Sequence, residues 1–204
     1  MRLPSIAILA CCAGSLVLAA CSPKGDAVAA KPAAPAPTST TAAAPAAAAA
    51  PAGDDPCRLL TDAEVRAVFP GAKAGVRETS REKYGIRACV WATPGSSFAL
   101  QRWTAKPGTV DTEIRGLALG FIDPLNAAAN TSVRYDTVPG LGDQAKALVE
   151  VQDEKRGILA DAAILITQRG DQLIELQSQA LARGDRAAAL QALTTLGRAA
   201  AARL

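Results

Sequence analysis

The chain has 204 residues, a formal net charge of +3, no histidine, and a composition that is 50% hydrophobic but only 3% aromatic. Without histidine, a Ser-His-Asp triad is impossible and a zinc site would lack its usual imidazole ligands. Acidic and basic residues interleave along the sequence, whereas a nucleic-acid-binding face needs clustered Lys and Arg. These features exclude histidine-based hydrolase chemistry and argue against metal and nucleic-acid partners.

The N-terminus has the layout of a secretory signal peptide. Arg2 provides a short positive region, and residues 3–18 form an apolar run interrupted only by small residues and one proline. The run ends in Leu18–Cys21 (LAAC), and an alanine- and proline-rich tract follows. We therefore predict that residues 1–20 are a signal peptide removed from the mature protein.

The LAAC tetrapeptide resembles the lipobox of bacterial lipoproteins. The resemblance implies that a diacylglyceryl group is attached to Cys21 and that cleavage makes Cys21 the first residue. Each buried methylene contributes about 0.8 kcal/mol, so two or more acyl chains give stable membrane anchoring. In a cell with two membranes, Ser22 resembles the pattern exported to the outer membrane, facing the periplasm. The alternatives are an ordinary cleaved signal peptide and an uncleaved helix.

Residues 21–55 are predicted to be a disordered linker after the lipidated cysteine. Recurring prolines remove hydrogen-bond donors and interrupt any alanine helix. The segment also has too few large apolar side chains to fold. It should therefore act as a tether between the membrane and a folded domain at 56–204.

Cys57 and Cys89 are the only cysteines left after processing and lipidation. Outside the cytoplasm, two thiols in a small domain usually form a disulfide. A metal site is the alternative, but it needs more ligands than two thiolates. We predict a Cys57–Cys89 disulfide, and neither a metal nor a cofactor.

The patterns within residues 56–204 predict a single α+β domain. Thr61 and Glu64 are spaced as a capping box, so a helix should begin at Asp62 and end before Pro70. The further predicted segments are strands near 73–79, 86–93 and 97–104, helices near 110–120 and 124–129, strands near 132–138, 145–152, 158–167 and 171–179, and a helix from about Asp185. Short connections favour antiparallel pairing, which gives a largely antiparallel sheet packed by helices, in the order αβββ-α-ββββ-α.

Three short motifs in this domain carry a family resemblance. They are Pro56-Cys57 followed by Leu59-Leu60-Thr61 and Ala63-Glu64-Val65, then Cys89-Val90-Trp91, then Val138-Pro139-Gly140-Leu141-Gly142-Asp143-Gln144-Ala145. They resemble a family of bacterial cell-envelope lipoproteins whose secreted domain has no known function, and more distantly the extracytoplasmic sensor domains of bacterial Ser/Thr kinases. The resemblance implies a secreted α+β domain with a disulfide and a lipid anchor, and it carries over no catalytic residues.

Two short segments match known motifs but lack the other residues that those motifs require. Ser80 and Lys83 match the S-x-x-K of penicillin-binding enzymes, but Ser-Asp-Asn is missing and residues 106–108 (KPG) only imitate Lys-Thr-Gly. The glycines of residues 138–143 (VPGLGD) could approach a phosphate, but neither G-x-G-x-x-G nor a Walker sequence surrounds them. A loop and a plain turn are the predictions for these segments.

A glycosidase would need paired carboxylates, and two pairs occur: Asp111 with Glu113, and Asp153 with Glu154. Both pairs lie at predicted turns or helix starts, where acidic residues are expected. Arg-Gly-Asp occurs at 169–171 and 183–185, where tight turns explain it better than cell adhesion. We predict no catalytic residues.

Two function classes remain. We expect a membrane-anchored extracytoplasmic lipoprotein that acts as a non-enzymatic binding or accessory module for an envelope protein, a polymer or a small apolar ligand. The alternative is an envelope hydrolase that uses carboxylate or serine chemistry. A carboxylate-lined cleft would favour the enzyme, whereas an apolar groove or flat patch would favour binding.

Overall fold

A computed structural model describes residues 53–123, 125 and 132–204. These residues form one domain, in which helices pack on a seven-stranded antiparallel sheet, as the sequence predicted. The predicted signal peptide, Cys21 and nearly all of the predicted linker lie outside the described residues. The predicted helix at 124–129 does too, apart from Leu125.

The elements follow the predicted order. The strands are β1 (Val76–Glu78), β2 (Arg87–Thr93), β3 (Ser96–Thr104), β4 (Tyr135–Thr137), β5 (Gln144–Glu150), β6 (Ala162–Arg169) and β7 (Gln172–Ser178). The helices are α1 (Asp62–Val68), α2 (Val110–Ala118), α3 (Gln179–Ala182) and α4 (Arg186–Ala201). The short α3 was not predicted. β6 begins later than predicted because Ile158 forms isolated bridges with Ile122 and Asp153 instead of joining the sheet.

The capping box at the start of α1 is confirmed. The Glu64 amide donates to the Thr61 hydroxyl at 3.2 Å, and the Thr61 amide donates to the Glu64 carboxylate at 2.8 Å. The same carboxylate accepts hydrogen bonds from Arg203, which also donates to the Leu59 carbonyl. Glu64 therefore caps α1 and joins the beginning of the domain to its end.

The strand order across the sheet is β1-β2-β3-β7-β6-β5-β4, and every neighbouring pair is antiparallel. The β2–β3 and β6–β7 pairs are hairpins with tight turns, as predicted. The β3–β7 pair instead joins the first three strands to the last four, with Leu100 opposite Leu176. Both parts of the chain therefore share one sheet and its core.

The sheet buries apolar side chains on both faces. On one face, which we call the three-helix face, α1, α3 and α4 cover a core that includes Trp91, Phe98 and Leu165. On the other, the α2 face, α2 packs over β5 and β6 through Ile114. The α2 face is more open towards β1, where Val76 is 67% exposed.

Helix α4 spans 16 residues and lies on the sheet through one apolar stripe. Ala189, Leu193, Leu196 and Ala200 are buried, as the 3.6-residue periodicity predicted. Among the described ranges, no helix combines the length and apolar character that crossing a bilayer requires.

Candidate binding site

The predicted Cys57–Cys89 disulfide is present; Cys89 lies in the buried core of the three-helix face, and the partly buried Cys57 packs against that core. It joins the 3-10 turn Pro56–Arg58 to the middle of β2. The motif that contains Cys57 and the motif that contains Cys89 therefore meet at this bond, where they stabilise the fold.

The Asp62 carboxylate fixes the geometry beside the disulfide. Its Oδ1 accepts a hydrogen bond from the indole N–H of Trp91 at 2.9 Å and from the Gly75 amide at 2.9 Å. These bonds hold the pKa of Asp62 below its usual value, with the Gly75 amide as the first cause and Trp91 as the second. A Cβ atom at Gly75 would lie 2.6 Å from the Trp91 ring, so only glycine allows the chain to pass there.

The VPGLGD segment forms the predicted turn before a strand and is anchored to the β6–β7 hairpin. Leu141 is buried, and the Asp143 carboxylate accepts from the Gly170 amide at 2.7 Å. Gly142 has a φ of +60°, and a Cβ atom there would lie 2.3 Å from the Gln168 carbonyl oxygen. Packing of this turn against the β6–β7 hairpin therefore explains the motif.

The S-x-x-K match does not form a nucleophile with its base. Ser80 lies in the connection between β1 and β2, where its amide donates to the Glu78 carboxylate at 2.7 Å. Lys83 lies over the ring of its neighbour Tyr84, with the ammonium 4.9 Å from the ring centroid. Both residues are exposed.

One carboxylate of each predicted pair has a structural role. Asp111, in the first turn of α2, forms an ion pair with Lys146 of β5. Asp153 caps a 3-10 turn by accepting from the amides of Lys155 and Arg156. Across residues 53–123, 125 and 132–204, no three potential ligand side chains cluster as they would around a metal ion.

The two Arg-Gly-Asp segments occupy the predicted turns. The first forms the β6–β7 hairpin turn, with Gly170 at a φ of +60°. The second links α3 to α4, and the Asp185 carboxylate caps α4 by accepting from the Ala188 amide at 2.8 Å.

A surface groove with a volume of about 430 Å³ lies on the three-helix face, between the end of α1, α3 and the beginning of α4. Val68 and Leu181 line it from α1 and α3, and Ala188 and Ala192 line it from α4. Asp185 is the one charged residue in this lining. The groove exists because alanine side chains on α4 are too short to fill the space between the flanking helices.

A buried carboxyl lies on the α2 face near the centre of the sheet. Glu175 of β7 is 2% exposed, and its Oε1 atom has no hydrogen-bond partner within the described part of the chain. It lies opposite Gln101 of β3, whose side-chain oxygen accepts a 2.5 Å hydrogen bond from Arg81. Arg81 therefore binds the neutral side chain of Gln101, which is the cross-strand neighbour of the buried Glu175 carboxyl.

Burial raises the pKa of Glu175 to about 7; Arg81 lowers it and Glu113 of α2 raises it further. Glu175 was not among the residues that the sequence patterns singled out. The available signal was one ionisable residue in the otherwise apolar run Leu173–Leu176, since a charged side chain is almost never fully buried without a partner.

A protein-family profile matches residues 16–147. The chain belongs to this family, Protein of unknown function (DUF3558). The matched residues include Cys21, both disulfide cysteines and the Gly-Leu-Gly-Asp turn, and they end within β5. No curated protein and no solved structure matches the chain. The family supports the predicted uncharacterised domain but assigns it no activity, and lipid anchoring stays a prediction.

Proposed function

We propose that this protein is a lipid-anchored extracytoplasmic binding module that catalyses no reaction and holds an apolar helical segment of an envelope protein. The LAAC sequence at 18–21 supports the anchor, and the Cys57–Cys89 disulfide agrees with an oxidising compartment. The groove between α1, α3 and α4 is the observation that carries the binding function.

The shape and charge of the groove favour a helical partner. A small-molecule site usually encloses most of its ligand, whereas this groove is open along the protein surface. Amphipathic helices bind in such grooves through their apolar face, and the alanines of α4 allow close backbone approach. Asp185 at one end complements a basic residue on that helix.

The groove lies away from the point where the tether reaches the domain. The Gly53 carbonyl accepts from Arg102 at 2.5 Å, and Asp54 forms an ion pair with Arg87 at 2.6 Å. Arg87 and Arg102 lie opposite each other at one end of the β2–β3 hairpin. Helix α3 follows Ser178, and Ser178 pairs with Phe98 near the other end of that hairpin. The groove and the first described residues therefore lie towards opposite ends of this hairpin.

Replacing Cys21 with serine should release the protein from membranes. Serine cannot carry the thioether-linked diacylglyceryl group, so the stable anchor of two or more acyl chains is lost. The measurement is the share of protein in the membrane fraction, together with incorporation of labelled palmitate. Cys12→Ser is the matched control and should leave both unchanged. Full membrane retention and labelling of the Cys21→Ser protein would contradict the anchor.

Placing an arginine in the groove should weaken partner binding by about tenfold or more, because a charge would enter an apolar contact. Ala188→Arg tests this, and Ala187→Arg is a matched control, since both alanines are exposed in the first turn of α4 but only Ala188 lines the groove. Photo-crosslinking from position 192 in intact cells first identifies the contacted segment. Its affinity as a synthetic peptide is then measured with each variant.

The sequence of the crosslinked segment decides the identity of the occupant. An apolar helix with a basic residue near one end supports the proposal. A lipid, a polymer fragment, or a peptide that binds both arginine variants equally well contradicts it.

A further inference from the structure

Glu150 of the α2 face pairs with Arg156, whereas several other charged groups of this face lie along one cross-strand row. It runs through Glu78, Ala88, Gln101, Glu175, Ile166 and Lys146. Arg81 reaches this row from the β1–β2 connection, residues 79–86, and Glu113 acts on Glu175 from α2.

The outer charges of this row already have partners. Glu78 accepts from the Ser80 amide, and Lys146 forms its ion pair with Asp111. Arg81 is the cation that acts on Glu175, but its guanidinium donates a hydrogen bond to Gln101, one strand away.

We propose that Arg81 and Glu175 form a pH-sensitive latch. When the Glu175 carboxyl loses its proton to solvent, the Arg81 guanidinium moves from Gln101 to Glu175 and draws residues 79–86 more tightly onto the sheet.

The two arrangements differ in the strength of one hydrogen bond. A protonated carboxyl gives Arg81 no ionic partner, so the amide oxygen of Gln101 competes well for the guanidinium. An ionised carboxylate adds the attraction between opposite charges to the hydrogen bond, which the neutral amide of Gln101 does not provide. Adjacent strands are about 4.8 Å apart, a distance that a long arginine side chain spans by changing rotamer.

The pKa of Glu175 lies in the pH range in which the latch would respond. Burial raises its pKa to about 7, so modest changes in the pH outside the cytoplasm alter its charge. The β1–β2 connection is held through Arg81, because the Tyr84 and Ile86 amides both donate to the Arg81 carbonyl. Movement of Arg81 therefore changes how firmly this connection is held.

Hydrogen exchange of residues 79–86 tests the latch. After correction for intrinsic exchange rates, we expect about tenfold stronger protection at about pH 9 than at about pH 5. Glu175→Gln should abolish this difference while the protein stays folded. Arg198→Gln, which changes an exposed arginine elsewhere, should leave it intact.

A carboxyl NMR titration of Glu175 separates the latch from simple burial. Arg81→Gln should raise the titration midpoint and Glu113→Gln should lower it, and Arg81→Gln should also remove the pH-dependent protection. Titration of Glu175 without any change at residues 79–86 would overturn the latch. Protection that still changes with pH in Glu175→Gln would overturn it as well.

Discussion

Removing the disulfide by Cys57→Ala together with Cys89→Ala should lower the free energy of unfolding by about 3.7 kcal/mol, the chain-entropy value for a loop of this length. The bond closes a separation of 32 residues. Without it, the unfolded chain gains conformational freedom that the folded state does not share. Denaturant unfolding of the mature protein, with and without the double substitution, measures the loss.

Reduced wild-type protein provides the control, because its sequence is unchanged. It should lose about as much stability as the double variant, and Trp91 fluorescence can report both transitions, since the indole is buried beside the bond. Equal stability of oxidised and reduced protein would show that the bond does not stabilise the fold.

Glu175→Gln should stabilise the domain by about 3 kcal/mol above neutral pH and have almost no effect in acid. The pKa of Glu175 is about 7 in the folded protein, against an ordinary value of 4.5. Below the ordinary value both states are protonated. As pH rises towards 7, the unfolded chain ionises first, so the wild-type protein progressively loses stability that a neutral glutamine retains.

Unfolding free energies at about pH 4 and about pH 8 measure this difference. Glu154→Gln is the control, because Glu154 is exposed and its neutralisation should shift stability little at either pH. A Glu175→Gln protein that gains the same stability at both pH values would exclude ionisation of a buried carboxyl as the cause.

The local structure could be predicted from the amino-acid sequence alone. Thr61 and Glu64 predicted the start of α1, because a capping box needs only four consecutive residues. Gly170 and its neighbours predicted a hairpin turn for the same reason, and strand periodicity identified the order of elements. The disulfide was also predictable, since only Cys57 and Cys89 remain free once the apolar N-terminus is interpreted as a secretory signal that ends at a lipidated Cys21.

Which of these features lie close together could not be predicted, because it depends on contacts between distant parts of the chain. The pairing of β3 with β7 joins residues such as Gln101 and Glu175, which are far apart in sequence and have no local pattern in common. This pairing buries Glu175 and places it within reach of Arg81. The groove depends equally on long-range packing, because an alanine such as Ala192 has the same local preference whether a neighbouring helix covers it or leaves a gap. Local propensity acts within one or two turns, whereas burial and cavity shape depend on contacts between distant segments.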